Sequence, residues 1–99
     1  MQINWTSHAK FKMKYYRLSE QRVKRVLRSP LRVEEGIAPD TVAMLQAVTT
    51  AKRPYEIWAM VNKPKAQNLR VISAWRYPGR TKAGEPLPKE IIKEIREII

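Results

Sequence analysis

Two stretches in the second half of the chain limit its possible folds more than any other feature. As strands, "YEIWAMVN" (55–62) and "LRVISAWRY" (69–77) each place a mainly apolar set of alternate residues on one face. These sets are Tyr55, Ile57, Ala59 and Val61 in the first, and Leu69, Val71, Ser73, Trp75 and Tyr77 in the second. Only the short polar segment "KPKAQN" joins them. Strands this close in sequence pair antiparallel, because a parallel crossover needs a dozen or more residues. The sequence therefore predicts a β-hairpin here.

Further strands are predicted upstream. "LRVEE" (31–35) alternates, and "TVAMLQAVTT" (41–50) is rich in β-branched and apolar residues. The second segment would also suit a helix, but it follows Pro39 and Asp40 and precedes two predicted strands. Consecutive strands with short connections indicate an antiparallel meander.

The N-terminal third has the period of helices. Residues 2–5 form a short candidate strand, after which Thr6 is suited to cap a helix that runs to about Arg17. Ser19 caps a second helix that ends before Pro30, since the residue before a proline resists helical backbone. The predicted buried stripes are Ala9, Met13 and Tyr16 in the first helix and Val23, Val26 and Leu27 in the second.

The C-terminal part completes the expected architecture. Pro78-Gly79 ends the last strand, 79–87 is a loop, and "PKEIIKEIREII" predicts a helix over about 88–98. We expect one domain over 1–99, with its core at about 3–77. The predicted fold class is α+β, with two N-terminal helices packed on an antiparallel sheet of three to four strands, plus a C-terminal helix.

The chain is strongly basic. It has 20 Lys and Arg against nine Asp and Glu, a net charge of +11, and residues 1–36 hold nine of these cations against three glutamates. Some small proteins are simply basic, but a field of this sign favours polyanions such as nucleic acid, anionic lipid or an acidic protein. The N-terminal helices are the expected anion-facing part.

What the sequence lacks excludes several kinds of chemistry. With no cysteine and one histidine, neither a disulfide nor a structural zinc site is expected. There is no Walker loop or GxGxxG motif, and the acidic residues are not spaced for a two-metal nuclease, so we expect no metal and no cofactor. Without a long apolar run or a secretory signal, we expect a cytoplasmic protein with no membrane span.

His8 is the single histidine, and Lys12 follows it by about one helical turn. In the first turn of a helix, the positive end of the dipole disfavours a charged imidazole, and Lys12 acts in the same direction. A neutral imidazole is able to accept a proton near pH 7. The alternative is an ordinary polar helix edge, which is the commoner setting for a lone histidine.

The last predicted strand contains a second candidate site. Arg70 and Arg76 are six residues apart, so they are expected to share a face, opposite to Tyr77, and to hold phosphate with paired hydrogen bonds. Trp58 and Trp75 could stack on bases, but large aromatic residues are mostly buried, which favours a core position. The alternative for Arg70, Arg76 and Arg80 is a purely structural role, and the sequence does not decide between the two. The predicted nucleic-acid contacts are Arg22, Arg25, Arg28 and Arg80.

These residues together resemble a family of small bacterial and archaeal domains. His8-Ala9-x-x-Lys12-Met13, "YRLSEQRVKRVLRSP" and "RVISAWRY" correspond to the family's HAxxRM element, its capped VxxVLxxP helix and its late VIT-x-Y strand. In layout this family is similar to the RelE-type toxins, including the BrnT-like branch. Those are small basic α+β proteins that cleave RNA, often messenger RNA on the ribosome, and pair with an antitoxin. The resemblance covers about residues 3–77.

The resemblance implies a RelE-like, metal-independent endoribonuclease toxin, with RNA and an acidic antitoxin as partners. Its catalytic residues would be His8, Lys12, Arg70, Arg76 and Tyr77. His8 would take the proton of a 2′-hydroxyl, the cations would stabilise the scissile phosphate, and Tyr77 or Lys12 would be the acid. Lysine replaces the family's arginine at position 12, and "SAWRYPG" replaces its usual strand ending, which puts catalysis in doubt.

Two functions without catalysis are also consistent with the sequence. The chain could be a basic module that binds RNA or DNA through its helices, or an interaction domain for an acidic partner. A binding module predicts an affinity that falls steeply with salt and does not depend on His8.

Overall fold

The computed structural model describes residues 2–37, 39–62 and 68–84. These residues form five strands and two helices, namely β1 Gln2–Trp5, α1 Ser7–Tyr15, α2 Glu20–Arg28, β2 Arg32–Glu35, β3 Thr41–Val48, β4 Tyr55–Asn62 and β5 Asn68–Pro78. The predicted loop at 79–87 is described as far as residue 84. The predicted C-terminal helix at about 88–98 lies outside the described residues.

Both helices begin where their capping residues predict. The Thr6 hydroxyl accepts a hydrogen bond of 3.0 Å from the Ala9 N–H, and the Ser19 hydroxyl accepts one of 3.0 Å from the Arg22 N–H. These bonds satisfy N–H groups that have no partner within the first turn of a helix. The second helix ends two residues before Pro30, as predicted.

The sheet differs from the predicted RelE-like antiparallel sheet of three to four strands. It has five strands in the order β1-β5-β4-β3-β2, and it is mixed. β2 to β5 form the expected antiparallel meander, but β1 pairs parallel with β5, with Gln2 opposite Asn68. The prediction was wrong because a strand of four residues gives no local indication of a partner that lies 66 residues further along the chain.

α1 and α2 cover one face of the sheet, which we call the helix face. The stripes predicted from the sequence lie against it, with Ala9, Met13, Val23 and Val26 all buried. The core on this face contains Met13, Leu18, Val23, Val26, Ile57, Ala59 and Ala74, and beside it Ala9, Val61, Leu69 and Val71. Burial of these apolar side chains, rather than helix propensity, holds such short helices in place.

The opposite face, which we call the far face, is also buried. At its centre the rings of Trp58 and Trp75 stack, with centroids 5.5 Å apart and planes 9° from parallel. The two side chains are 2% and 1% exposed, which confirms the predicted core position. Each such ring removes roughly 150–250 Å² from water. Neither tryptophan is therefore accessible for stacking on a base.

A β-bulge changes the orientation of the second half of β5. The register shifts between Met60 and Val61 of β4, so that β5 has one extra residue, Ile72. Val71 and Ala74 consequently both lie on the helix face, although they are three residues apart. Alternation read from the sequence fails beyond a bulge, because a shift by one residue moves every later side chain to the other face.

Candidate nucleic-acid interface

α1 is attached to β5 where the helix begins. The Thr6 N–H donates to the Val71 carbonyl at 3.1 Å, and the Thr6 hydroxyl donates to the Ile72 carbonyl at 3.0 Å. Both carbonyls lie at the bulge, where the pairing of β5 with β1 ends. One threonine thus caps the helix and sets its starting position on the strand.

α1 ends in a Schellman motif whose left-handed residue is an arginine. The Leu18 N–H donates to the Met13 carbonyl at 2.7 Å, and the Arg17 N–H donates to the Lys14 carbonyl at 3.2 Å. Arg17 has a φ of 56°. Glycine adopts this backbone freely, whereas other residues lose about 1–2 kcal/mol. Arg17 therefore occupies a position in which glycine would be less strained.

Arg76 of β5 makes further contacts at this end of α1. Its Nε donates to the Tyr16 carbonyl at 2.8 Å, and its Nη2 donates to the Arg17 carbonyl at 3.4 Å. The guanidinium also lies 4.9 Å from the centroid of the Tyr55 ring. A cation at the C-terminal end of a helix is favoured by the helix dipole. These contacts give Arg76 the structural role that the sequence left open.

Arg22 lies close to Arg76, between α2 and β3. Its Nη1 donates to Gln46 Oε1 at 2.7 Å, and Gln46 Nε2 donates to the Arg25 carbonyl at 3.0 Å. Burial lowers the pKa of the Arg22 guanidinium, and the charges of Arg25 and Arg76 lower it further, against an opposing effect of Tyr55. Positive charges that repel one another in this way favour an anion nearby.

The solvent-facing sides of α1 and α2, which cover the same face of the sheet, carry mostly cationic side chains. Between Ser7 and Arg28 the chain has eight Lys and Arg and a single acidic residue, Glu20. We call the exposed cations the basic helical surface; they are Lys10, Lys14, Arg17, Arg25 and Arg28. The ion pairs formed between described residues involve none of these five. The surface therefore keeps its positive charge within the described part of the chain.

Two aromatic side chains of α1 are exposed beside these lysines. Phe11 is 66% exposed and Tyr15 is 69% exposed. Their spacing of four residues places them on the same face of the helix. Tyr15 makes an edge contact with Tyr16, with centroids 4.9 Å apart, and Lys12 Nζ lies 5.4 Å from the centroid of its ring. Neither ring belongs to the buried stripe that the sequence predicts for α1. Two aromatic residues four positions apart and outside that stripe are the sequence signal by which the exposed pair could have been recognised.

His8 and Lys12 lie one turn apart on α1, as their spacing predicts. The His8 side chain is half-buried. Lys12 is only 6% exposed, and its Nζ lies 5.1 Å from the centroid of the Tyr16 ring. Lys12 thus contacts the ring of Tyr16, whereas Arg76 binds the backbone carbonyl of the same residue.

Arg70 and Tyr77 lie on the other side of the sheet. Arg70 is exposed and stands between two residues that face the helices, so its side chain points to the far face. Tyr77 is opposite Glu56 in register and packs against the tryptophan cluster. The prediction that Arg70 and Arg76 share a face is wrong, because the bulge lies between them. The five predicted catalytic residues are therefore not gathered on one surface.

A buried carboxylate that the sequence pattern did not single out lies on the far face. Glu56 has no exposed surface. Its Oε1 accepts hydrogen bonds from Trp58 Nε1 at 3.1 Å and the Thr81 hydroxyl at 2.8 Å, and its Oε2 accepts one from the Thr81 N–H at 3.1 Å. Arg32 donates to the Thr81 hydroxyl at 2.8 Å, and Arg80 Nε lies 3.8 Å from Glu56. This network attaches the chain after β5 to β4 and β2, and it gives Arg80 a carboxylate partner.

A metal site and a transmembrane helix each place requirements on the residues that form them. No three His, Cys, Asp or Glu side chains of residues 2–37, 39–62 and 68–84 are placed to hold a metal ion. Within the same residues, neither helix has the length and apolar character needed to cross a bilayer.

Comparison with known proteins gave no match to a family model, a curated protein or a solved structure. The resemblance to RelE-type toxins therefore stays a prediction. Function has to be argued from the geometry and charge of this chain.

Proposed function

We propose that the protein is a nucleic-acid-binding module that contacts the phosphate backbone with the basic helical surface. The main support is that five exposed cations on two adjacent helices form no ion pair with a described carboxylate. Phosphates bound to this surface would release their condensed counterions and relieve the repulsion between the cations. Such binding needs no catalytic residue.

Two further observations support the same surface. Arg17 is an arginine where glycine would be less strained, which is explained if its side chain contacts the ligand. The pKa of Arg22 is lowered by burial and then by the neighbouring positive charge of Arg25. A phosphate near α2 would oppose that second effect.

The endoribonuclease toxin predicted from the resemblance would need several catalytic side chains close together. It needs Arg70 beside His8 to stabilise the scissile phosphate, whereas Arg70 points to the far face. Of its two candidate acids, Tyr77 also points to the far face, and only Lys12 lies on the same helix as His8. Binding needs only the cations of the helices, and it is therefore the function that the geometry supports best. Incubation of labelled RNA with the wild type and with His8→Ala tests the catalytic hypothesis. Cleavage by the wild type that His8→Ala abolishes would support catalysis instead.

The salt dependence of RNA binding tests the proposal. A fluorescently labelled single-stranded RNA of about 20 nucleotides is titrated by anisotropy between about 50 and 200 mM salt. We expect the logarithm of the association constant to fall linearly with the logarithm of salt concentration, with a slope of about −0.7 for each phosphate neutralised. Five contacts would give a slope of about −3.5. A slope near zero would contradict the proposal.

A pair of matched lysine variants locates the binding surface. Lys14 lies on the basic helical surface, while Lys82 lies on the far side, where its carbonyl contacts Arg32. Lys14→Gln is expected to weaken binding and to reduce the slope by about 0.7, and Lys82→Gln to leave it unchanged. Equal effects of the two variants would argue against the helical surface. Tighter binding of polyglutamate than of RNA at equal salt would favour an acidic protein partner.

A further inference from the structure

We infer that the basic helical surface selects single-stranded over duplex nucleic acid, because Phe11 and Tyr15 stack on unpaired bases. This inference rests on the proposed function and adds the class of nucleic acid that the surface binds.

The exposed residues of α1 are arranged in two parallel rows. Phe11 and Tyr15 are four residues apart and form one row, and Lys10 and Lys14 are four residues apart and form the other. Lys14 is also three residues after Phe11, so these two side chains are neighbours on the helix surface and connect the two rows. Proteins that bind single strands without sequence preference combine these two elements, aromatic rings for the bases and cations for the backbone.

The exposure of the two rings in the isolated chain is consistent with a binding partner that covers them. Phe11 and Tyr15 are about two-thirds exposed, whereas the tryptophans Trp58 and Trp75 are in the core. Large aromatic side chains are usually buried, and an exposed pair on one helix face is typical of a binding site. The lysines decide the occupant, because they favour a polyanion with flat apolar groups over an apolar protein surface.

Two neighbours contact the Tyr15 ring in the absence of a ligand. It forms a T-shaped pair with Tyr16 at an interplanar angle of 82°, and Lys12 Nζ lies 5.4 Å from its centroid. The hydrogen bond from Arg76 to the Tyr16 carbonyl fixes the backbone next to Tyr15. Contacts that restrict a side chain before binding reduce the conformational entropy lost when a base stacks on it.

A duplex does not offer the same contacts. Its bases are already stacked on one another, so only their edges are accessible in the grooves. Single strands, loops and ends present base faces that aromatic side chains can cover. The phosphates are common to both forms, so the rings, and not the cations, would distinguish them.

Three labelled probes with the same number of phosphates test the inference. They are an oligouridylate strand, an abasic strand of the same length, and an RNA duplex of half that length, all titrated at one salt concentration. We expect the wild type to bind the oligouridylate at least about tenfold more tightly than either the abasic strand or the duplex. The double variant Phe11→Leu/Tyr15→Leu keeps apolar side chains with good helix propensity and is expected to abolish this preference. Its affinity for the abasic strand should match the wild type.

The outcomes separate this inference from the proposed function. A wild type that binds the oligouridylate and abasic strands equally, both with a steep salt dependence, would overturn base stacking and leave phosphate binding intact. A double variant that keeps the preference would place the stacking rings elsewhere. A wild type that binds none of the three probes would overturn the proposed function itself. Circular dichroism of the double variant confirms that α1 and the sheet are still folded.

Discussion

Arg76 Nε donates a hydrogen bond of 2.8 Å to the carbonyl of Tyr16, 60 residues away in sequence, and this bond joins the end of β5 to the end of α1. At the other end of the helix, Thr6 is bonded to the bulge of the same strand. α1 is therefore held at both ends by β5. The exposed rings of Phe11 and Tyr15 lie on a helix whose position the sheet determines.

Removal of the Arg76 side chain is expected to destabilise the fold. Arg76→Ala loses a hydrogen bond from a charged donor and should lower the free energy of unfolding by about 1.5–3 kcal/mol, measured by urea denaturation. Arg70→Ala removes an exposed arginine of the same strand and is the control. It should change the free energy of unfolding by no more than about 0.5 kcal/mol. Equal, small effects would show that the bond to Tyr16 contributes little.

Arg17→Gly should raise stability and weaken binding at the same time. Glycine adopts a φ near 56° without strain, so the free energy of unfolding should increase by about 1 kcal/mol. The lost positive charge should weaken RNA binding and reduce its salt dependence. Arg17→Ala removes the same charge but keeps a Cβ, so it should weaken binding without stabilising the fold. Unchanged RNA affinity in both variants would exclude Arg17 from the interface.

Glu56→Gln should loosen the segment after β5. Both carboxylate oxygens accept hydrogen bonds, and an amide offers only one oxygen, so at least one donor loses its partner. We expect a loss of about 3 kcal/mol in the free energy of unfolding, and faster hydrogen exchange at the Thr81 amide. Glu35→Gln, at an exposed position of β2, should show neither effect. Unchanged exchange at Thr81 in Glu56→Gln would contradict the attachment.

Glu34 should make stability depend on acidic pH. Glu34 Oε1 accepts two hydrogen bonds, one of 3.1 Å from the Gly84 N–H and one of 2.8 Å from Arg32 Nε. These bonds lower the pKa of Glu34 below its ordinary value of 4.5. The contribution to stability is therefore complete above about pH 4.5 and is lost as the pH falls through the lower folded-state pKa.

Urea denaturation between neutral and acidic pH measures this contribution. The wild type should exceed Glu34→Gln in stability at neutral pH, and the difference should shrink as the carboxyl group becomes protonated. The effect should be modest, because solvent screens a carboxylate at the surface. A difference that stays constant with pH would assign the effect to packing and not to charge.

Much of the local structure could be predicted from the sequence. Thr6 and Ser19 identify the starts of both helices, and Pro30 identifies the end of the second, because each acts on neighbouring backbone groups. The alternation in β4 correctly predicts that Ile57 and Trp58 lie on opposite faces of the sheet. The positive charge of the helices, on which the proposed interface rests, follows directly from the residue types between Ser7 and Arg28.

The parts of the site that were missed depend on side-chain surroundings. Phe11 and Tyr15 differ from core aromatics only in what covers them, which the sequence does not state directly. By its position in the sequence, Arg76 is equally suited to bind phosphate or to stabilise the fold, and its bond to Tyr16 shows the second role. Glu56 is an ordinary strand glutamate in sequence, and only Thr81 and Trp58 show why it is buried.

The two capped helices, the antiparallel meander and the concentration of cations in the N-terminal third could all be predicted from the amino-acid sequence. These follow from interactions within a few residues or from composition alone. The pairing of β1 with β5, and the bulge at Ile72 that turns Arg76 away from the face of Arg70, could be recognised only in the three-dimensional fold. Both depend on pairing between distant strands, and a shift of one residue in that pairing is enough to move a side chain to the opposite face.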